Sequence, residues 1–309
     1  MKLKTSVGSK SRRSGLMRKE AVAAYLFLTP CILGLLIFEA GPVIASAVLS
    51  LMDWDLLSPP KWVGLSNFRE MLLRDKLVPL SMFNTVYYTF FGVPLQLVAA
   101  LGAALLLNSR VRGIRLYRTA FYVPSVTPAV ANAILWVLIF NPESGIANYV
   151  LSSLGLPTYR WLVDPPLAKP AFILMSLWGI GPTMVIFLAG LQGIPEYLYE
   201  AASIDGAGAL RNFRHITIPM LTPTIFFNLI IGVIGSFQVF TNAYIMTGGG
   251  PANATLFYML YVYRNAFQYL RMGYASTLAW FLFLVIALLT AVQFGAGRRW
   301  VYYEGELRS

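Results

Sequence analysis

Cysteine and histidine are almost absent from this chain of 309 residues. Cys31 is the single cysteine, so an intrachain disulfide is impossible and no cysteine-based metal site is expected. His215 is the single histidine, so no Ser/His/Asp catalytic arrangement is expected, and in its polar loop it is interpreted as a surface contact. The phosphate-binding motif G-x-x-x-x-G-K-[ST] is also missing, because Gly248-Gly249-Gly250 lacks the lysine. The chain itself is therefore not expected to be an enzyme or to hold a nucleotide or metal cofactor.

Charged residues are scarce as well. They make up 12% of the chain, against about 25% in an ordinary soluble domain, whereas 57% is hydrophobic. Several apolar runs reach the roughly 20 residues that cross a bilayer core. We therefore predict an all-α membrane protein with six transmembrane helices, at about 21–51, 82–107, 119–141, 170–192, 221–246 and 274–296.

The first twenty residues carry seven basic side chains, as the start of a signal peptide does. The apolar stretch that follows, from Ala21 to about Leu51, is too long for a signal peptide and is interpreted as a retained first helix. The predicted organisation is a basic cytoplasmic tail (1–20), a transmembrane domain (21–296) and a cytoplasmic C-terminal tail (297–309).

The basic residues are distributed unevenly between the predicted connections. The two tails and the loops 108–118 and 193–220 hold 16 of them, and the remaining segments hold 8. The positive-inside rule therefore predicts that both termini are cytoplasmic. Topology explains the excess of basic over acidic residues, so no nucleic-acid partner is expected, although the clustered arginines can attract anionic membrane lipid.

Three features of the spans and of the outer connections bear on function. Prolines occur in many spans, which is more typical of a gated pathway than of a static anchor. Glu39 is the one acid well inside a predicted span, and we expect it near the outer boundary or facing a water-filled crevice. The stretch 66–74 predicts a short helix on the outer surface, and an interfacial turn explains Asp53 and Asp55.

The polar loop 193–220 is the most informative segment. Ile194-Pro195-Glu196 is typical of a helix start, and the helix should run to about Ile204. Gly206 and Gly208 then predict a turn with positive φ. A second short helix, from Leu210 to about Ile216, should lead into Pro219. The predicted result is a helix–turn–helix on the cytoplasmic face in which Glu200 projects a carboxylate toward an arginine of a partner.

The spacing within this loop carries a family resemblance. Glu200-Ala201-Ala202, then Gly206 after three residues, Ile216 after nine more and finally Pro219 resemble the signature of permease subunits of binding-protein-dependent ABC importers. Ile218 stands where that signature has leucine. The resemblance implies that the loop couples the chain to an ATPase, through a coupling helix at about 196–208. The implied coupling residues are Glu200, Ala201, Ala202, Asp205, Gly206, Gly208, Ile216 and Pro219.

Further segments resemble the carbohydrate-uptake branch of these importers. They are Phe121–Pro124, Trp178–Pro182, Asn242–Pro251 and the ending Trp300-Val301-Tyr302-Tyr303-Glu304. The likeness is to the permease that pairs with a second one, as in the maltose and glycerol-3-phosphate importers. It implies a second homologous permease, an ATPase dimer that binds ATP and Mg, an extracytoplasmic binding protein and a sugar or polyol substrate. It also implies location in a bacterial or archaeal inner membrane.

A sugar pathway needs polar groups and aromatic faces around a cavity near the membrane midplane. Some candidates come from the polar and aromatic residues of spans four and five, and others from the positions that match the maltose permease. Together they are Ser176, Trp178, Gly179, Ile180, Thr183, Gly232, Gly235, Ser236, Gln238 and Val239. For each polar residue, ordinary hydrogen bonding between helices is the competing interpretation.

Two other functions remain open at this point. An autonomous secondary transporter should show internal repeats and an ion or proton site at midplane, and neither is evident in the sequence. A membrane-embedded transferase should show clustered acids or a His/Asp motif at a membrane face, for which Asp53 and Asp55 are the nearest candidates.

Overall fold

The chain folds into a bundle of helices with one small β-hairpin. The computed structural model describes residues 9–109 and 113–302, with side chains from Glu20 onward. The first eight residues of the predicted tail 1–20, Arg110, Arg112, and the chain from Tyr303 lie outside the described residues. The elements are α1 (Ser9–Leu35), α2 (Gly41–Leu49), β1 (Met52–Asp53), β2 (Lys61–Trp62), α3 (Ser66–Leu73), α4 (Leu77–Leu107), α5 (Ile114–Val126), α6 (Ala129–Ile139), α7 (Ile146–Ser153), α8 (Pro165–Ser176), α9 (Gly181–Gln192), α10 (Glu196–Ile204), α11 (Ala209–Asn212), α12 (Ile218–Phe237), α13 (Thr241–Met246), α14 (Tyr258–Tyr263) and α15 (Met272–Gly297).

Each predicted span coincides with one long helical segment or with a bent pair of helices. Four described segments are long and apolar enough to cross a membrane: Glu20–Leu49, Leu77–Leu107, Ala209–Met246 and Met272–Gly297. The pairs α5 with α6 and α8 with α9 raise the number to six if each pair is one span. A helical membrane protein is thus confirmed, and the span count depends on the two bent pairs.

Both bends occur at prolines. The α5–α6 pair bends by 100°. There Thr127, directly before Pro128, is extended, since the helical region is disfavoured for a residue before proline. The α8–α9 pair bends by 51°, just before Gly181-Pro182. Pro94, in contrast, lies inside the unbroken helix α4. Proline alone therefore does not decide where a span breaks.

Two helical segments widen into a single π-helical turn directly before a proline. Residues 36–40 precede Gly41-Pro42, and residues 213–217 precede Ile218-Pro219. A proline has no N–H for the regular helical hydrogen bond, and here the residue before it bonds five positions back instead, Gly41 to Leu36 and Ile218 to Phe213. The helix passes through Pro219 without a stop. The helix predicted from Leu210 to about Ile216 is present and leads into Pro219 as predicted, but it does not end there: α11 continues through the π-turn into α12.

The hairpin and α3 close one end of the bundle. The predicted helix at 66–74 is confirmed at Ser66–Leu73, and the Asn67 amide holds it by donating to the carbonyls of Ser50 (3.0 Å) and Met52 (2.9 Å). The β1–β2 turn is closed by Asp55, which accepts from the Ser58 N–H (2.8 Å) and hydroxyl (2.7 Å). These hydrogen bonds lower the pKa of Asp55. A turn, and not a catalytic acid pair, accounts for this segment.

Two buried clusters hold the helices together. The outer cluster lies at the end with the hairpin and α14, and is rich in large side chains such as Phe172, Phe257 and Tyr258. The inner cluster lies at the end with α10, and includes Ala100, Ala104 and the aliphatic residues that face them. We name the two ends for the predicted topology. The candidate sites lie between the clusters and beneath the inner one.

Candidate substrate pathway and coupling loop

The loop between α9 and α12 begins with the helix predicted from Ile194-Pro195-Glu196. Pro195 is extended (ψ 132°), and α10 starts at Glu196, whose carboxylate lies in the first turn, where the positive end of the helix dipole stabilises it. The helix ends at Ile204, as predicted.

The turn after α10 depends on one glycine. Gly206 has φ +75°, and the Ala207 N–H bonds to Ala202 O (2.9 Å) while the Gly206 N–H bonds to Ser203 O (3.1 Å). This pair of bonds is the Schellman closure, which favours glycine at the left-handed position. Gly208, in contrast, has φ −76° and precedes α11. The prediction of positive φ is confirmed for Gly206 and wrong for Gly208.

One face of the coupling loop packs onto the bundle. Leu198, Tyr199 and Ile216 pack against the inner cluster, which contains Leu191 and Leu221. The Tyr199 hydroxyl also forms a hydrogen bond of 3.0 Å with the Thr217 hydroxyl at the start of the fifth span. These contacts join α10 to both neighbouring spans.

The opposite face of the loop is exposed. Ile204 and Leu210 are 87% and 79% exposed, which is uncommon for a matched pair of large aliphatic side chains on a polar loop. Five of the predicted coupling residues are exposed: Glu200, Ala201, Asp205, Gly206 and Gly208. The other three, Ala202, Ile216 and Pro219, are half-buried. The His215 ring nitrogen Nδ1 lies 3.0 Å from Arg211 O at the surface. The face of the loop that points away from the bundle therefore exposes both charged and apolar side chains.

The two bends meet near the middle of the bundle. A side chain on Gly181 would lie 2.6 Å from the carbonyl oxygen of Phe121, so only glycine allows α9 to approach α5 so closely. Beside this contact is a mostly apolar cavity of about 220 Å³. It is lined by Ala120, Phe121, Pro124, Leu177, Trp178 and Ile180.

The predicted residues of the fourth span surround this bend. Trp178 is half-exposed and its ring centre lies 6.1 Å from that of Trp136. Gly179 is exposed, and no atom lies within 4 Å of the position its side chain would take. Ser176 and Thr183 are half-buried, and the Ser176 hydroxyl donates to Ile173 O (2.6 Å). An aromatic face at Trp178 and open space at Gly179 thus occur together here.

The predicted residues of the fifth span divide into two groups. Gly235 and Gln238 are exposed, and Val239 is half-buried. Ser236 is buried, and its hydroxyl lies 2.8 Å from that of Thr89 on α4. Gly232 also faces α4, since its side chain would lie 3.0 Å from Val93. In this conformation Ser236 and Gly232 belong to the α4–α12 contact, whereas Gly235 and Gln238 are accessible.

Sequence reasoning missed two polar residues on α6. The Asn132 oxygen and the Trp136 indole nitrogen are buried with no hydrogen-bond partner among the described residues, as is the Asn242 oxygen on α13. Helices α6 and α13 pack together. An unpaired polar atom is costly in an apolar environment, so these three groups are places where a hydrogen-bonding partner would stabilise the protein. An asparagine within an apolar run was the signal that could have identified Asn132.

A helical membrane protein with two bent helix pairs and a polar helical loop between the last of them and α12 is compatible with a membrane permease. The chain belongs to the family described as binding-protein-dependent transport system inner membrane component, whose model matches residues 83–300. Members are ABC transporter permease subunits for sugar transport and are not enzymes; ATP hydrolysis belongs to separate ATPase subunits. Inner-membrane, multi-pass location follows from the same membership.

Similar proteins extend over nearly the whole chain. A probable ABC transporter permease protein, YesP of Bacillus subtilis, is 43% identical over 96% of both chains. The trehalose/maltose transport system permease protein MalF of Thermococcus litoralis is 34% identical over 92% of this chain and 97% of its own. Among solved structures, a bacterial ABC transporter involved in alginate import matches with a TM-score of 0.80 and 25% identity, over 93% of this chain and 99% of that one.

Proposed function

We propose that this chain forms, with a second permease, the alternating-access pathway of an ATP-driven importer for a sugar or polyol. The two-faced coupling loop carries the proposal: one face is fixed to the spans by Leu198 and Tyr199, and the other exposes Glu200, Ile204 and Leu210. An ATPase dimer that binds ATP and Mg would dock on the exposed face. Its closure would move the loop and, through the Tyr199–Thr217 contact, the fourth and fifth spans. Both termini would be cytoplasmic.

The first helix supports the pairing with a second permease. No side chain described between Glu20 and Leu49 is buried, whereas the other long spans are about one-third buried. Only the α2 part of this segment packs on the bundle, against α15. An apolar helix that stands away from its own bundle offers its surface to another chain.

We propose that Glu39 lies near the middle of the membrane. Ser46 lies 3.2 Å from the Trp280 indole nitrogen on the antiparallel helix α15. Glu39 precedes Ser46 by seven residues, which is about 10 Å along the axis at the rise of an α-helix. Because the two helices are antiparallel, Glu39 lies at the level of Ala287, near the middle of α15. Its exposed side chain sits in the π-turn 36–40. A charged group at that depth costs about 3 kcal/mol unless it is paired, so we propose a hydrogen-bond donor on the second permease as its partner.

The single cysteine allows a direct test of this pairing. Cys31 is exposed on the same helix, two turns before Glu39. If a second permease copurifies with the chain, Cys31 should label with a membrane-permeant maleimide more slowly in the complex than in the isolated chain. Glu39→Leu should speed the labelling and reduce copurification, whereas Phe38→Leu, in the same turn, should not. Equal labelling in the complex and in the isolated chain would refute the interface.

The importer proposal has its own test. Affinity purification from the native membrane, followed by mass spectrometry, should recover a second six-span permease, an ATPase and a binding protein. Glu200→Ala and Gly206→Pro should abolish uptake while the chain still inserts. Transport by the chain alone in liposomes without ATP would contradict the proposal in favour of a secondary carrier.

A sugar or related polyol is the proposed substrate class. Trp178 and the open backbone at Gly179 and Gly235 supply an aromatic face and space, and the unpaired groups of Asn132, Trp136 and Asn242 supply hydrogen bonds for hydroxyls. Delivery by an extracytoplasmic binding protein is proposed from the family. Screening the copurified binding protein against sugars tests the class.

A further inference from the structure

A cavity at the outer end of the bundle lies apart from the pathway. It has a volume of about 380 Å³ and opens between α3 and the first turns of α4, with Phe281 of α15 at its side. Its walls are mostly apolar: Met71, Leu72, Leu73, Val78, Pro79, Met82 and Phe281. Nothing in the coupling loop or around the two bends touches it. The proposed importer function therefore gives it no role.

The position of the cavity matches the boundary between lipid headgroups and acyl chains. Phe281 is nine residues into α15, about 13 Å from its start at the rise of an α-helix. Helix α3 lies at the other end of the cavity, and its Leu72 and Leu73 are 65% and 73% exposed. The cavity thus extends from the membrane surface into the apolar layer. A molecule with a polar headgroup and an apolar chain spans the same boundary.

The rim of the cavity is positively charged. Arg74 and Lys76 line it and are exposed, and neither forms a salt bridge with a described residue. The acid between them, Asp75, is held elsewhere: its carboxylate accepts from the Tyr261 (2.5 Å) and Tyr274 (2.6 Å) hydroxyls and from the Leu77 N–H (2.9 Å). Its hydrogen bond with Tyr261, together with burial, raises the pKa of that tyrosine. The two cations are therefore free to bind an anion.

We propose that this cavity binds an anionic glycerophospholipid. Arg74 and Lys76 bind the phosphate group, and the start of α4 at Leu77 adds the positive end of a helix dipole at the same rim. An acyl chain lies along Met82 and Phe281. Charge complementarity selects this occupant over a neutral lipid, and the depth of the apolar walls selects it over a free phosphate ion. Its assignment to the outer leaflet rests on the proposed topology.

Lipid retention tests the proposal. The chain, with whatever partners copurify, is placed in nanodiscs of phosphatidylcholine with or without phosphatidylglycerol, and bound lipid is counted by native mass spectrometry after release. We expect the double variant Arg74→Gln/Lys76→Gln to retain about tenfold less phosphatidylglycerol than the natural chain. The matched control is Lys61→Gln/Arg69→Gln, which removes the same charge from the same end outside the cavity lining. Retention in this control should stay unchanged.

Three outcomes would overturn the lipid site. One is an equal loss of phosphatidylglycerol in the control variant, which would indicate that diffuse surface charge alone attracts the lipid. Another is retention of phosphatidylcholine equal to that of phosphatidylglycerol, and a third is retention of free phosphate in place of lipid. Met82→Trp, which fills the apolar part of the cavity, should displace the lipid while leaving both cations. Because no step uses ATP or uptake, failure here leaves the importer proposal untouched, and the reverse also holds.

Discussion

The outer and inner ends of the bundle are held together by different means. At the outer end, buried polar side chains bridge segments far apart in sequence: the Asn84 amide donates to the carbonyls of Asn253 (2.8 Å) and Leu256 (3.1 Å), and Thr85 accepts from the Tyr258 N–H (2.9 Å). Toward the inner end, close approach of small residues adds to hydrogen bonds such as Tyr199–Thr217. Gly181 and Gly190 bring α9 against α5 and α12.

This difference suits a permease that changes shape. Hydrogen bonds to buried groups are directional and costly to leave unmade, so the outer cap resists displacement. Apolar contacts between helices are non-directional, so helices can slide on them at lower cost. We therefore expect the outer cap to move as a unit and the inner helices to shift under the coupling loop. Four substitutions test the comparison, beginning with the largest effect.

Gly181→Val should have the largest effect, at the bend where the inner half begins. Its side chain would lie 2.6 Å from the Phe121 oxygen and 2.9 Å from Tyr122 Cα, both backbone atoms that cannot rotate away. Overpacking of this kind costs about 3 kcal/mol. A fall in the thermal midpoint of the purified protein and loss of uptake are expected. Gly179→Ala, with no atom within 4 Å, is the control and should leave the midpoint unchanged.

Asn84→Leu should weaken the outer cap. The substitution leaves the Asn253 and Leu256 carbonyls without their donor and removes the acceptor of the Lys169 ammonium (2.9 Å). We expect it to lower the free energy of unfolding by about 2 kcal/mol. Hydrogen exchange should rise in 250–258 before the rest of the chain. Asn228→Leu is the comparison, because that amide bonds only within its own helix, to Thr224. Equal effects of the two substitutions would contradict a polar outer cap.

Gly206→Ala should act on the coupling loop alone. An alanine at φ +75° costs about 1 kcal/mol. Faster amide exchange in residues 202–207 and reduced uptake are expected, with little change in the thermal midpoint. Gly208→Ala introduces the same methyl group at φ −76° with open space around it. It should change neither amide exchange nor uptake nor the thermal midpoint.

Ser236→Ala should have the smallest effect on stability. Removing its hydrogen bond with Thr89 costs about 0.6 kcal/mol within a membrane. If Ser236 serves only α4–α12 packing, the thermal midpoint falls slightly and uptake persists. A loss of uptake at unchanged stability would instead make it a substrate contact. Ser176→Ala, whose hydroxyl bonds only to its own helix at Ile173 O, provides the reference.

Some of the molecule was predictable because it depends on local sequence. A span needs only length and apolar composition, so all six predicted ranges fall on helices or bent pairs. The start of α10 at Glu196 and the left-handed Gly206 follow from capping rules that act within a few residues. The continuation of the helix through Pro219 was not predictable in this way, because whether a proline ends a helix or widens it by one turn depends on what the helix packs against.

The sequence by itself determined that this is a helical membrane permease with a polar helical loop between the fourth and fifth spans, since length, apolar composition and a short signature carry that information. Only the tertiary structure decided that Ser236 pairs with Thr89, that Asn132 and Trp136 have no hydrogen-bond partner among the described residues, and that no described side chain from Glu20 to Leu49, Glu39 included, is buried. The physical reason is that hydrogen bonding and burial depend on which helices become neighbours, and neighbours far apart in sequence leave no local pattern.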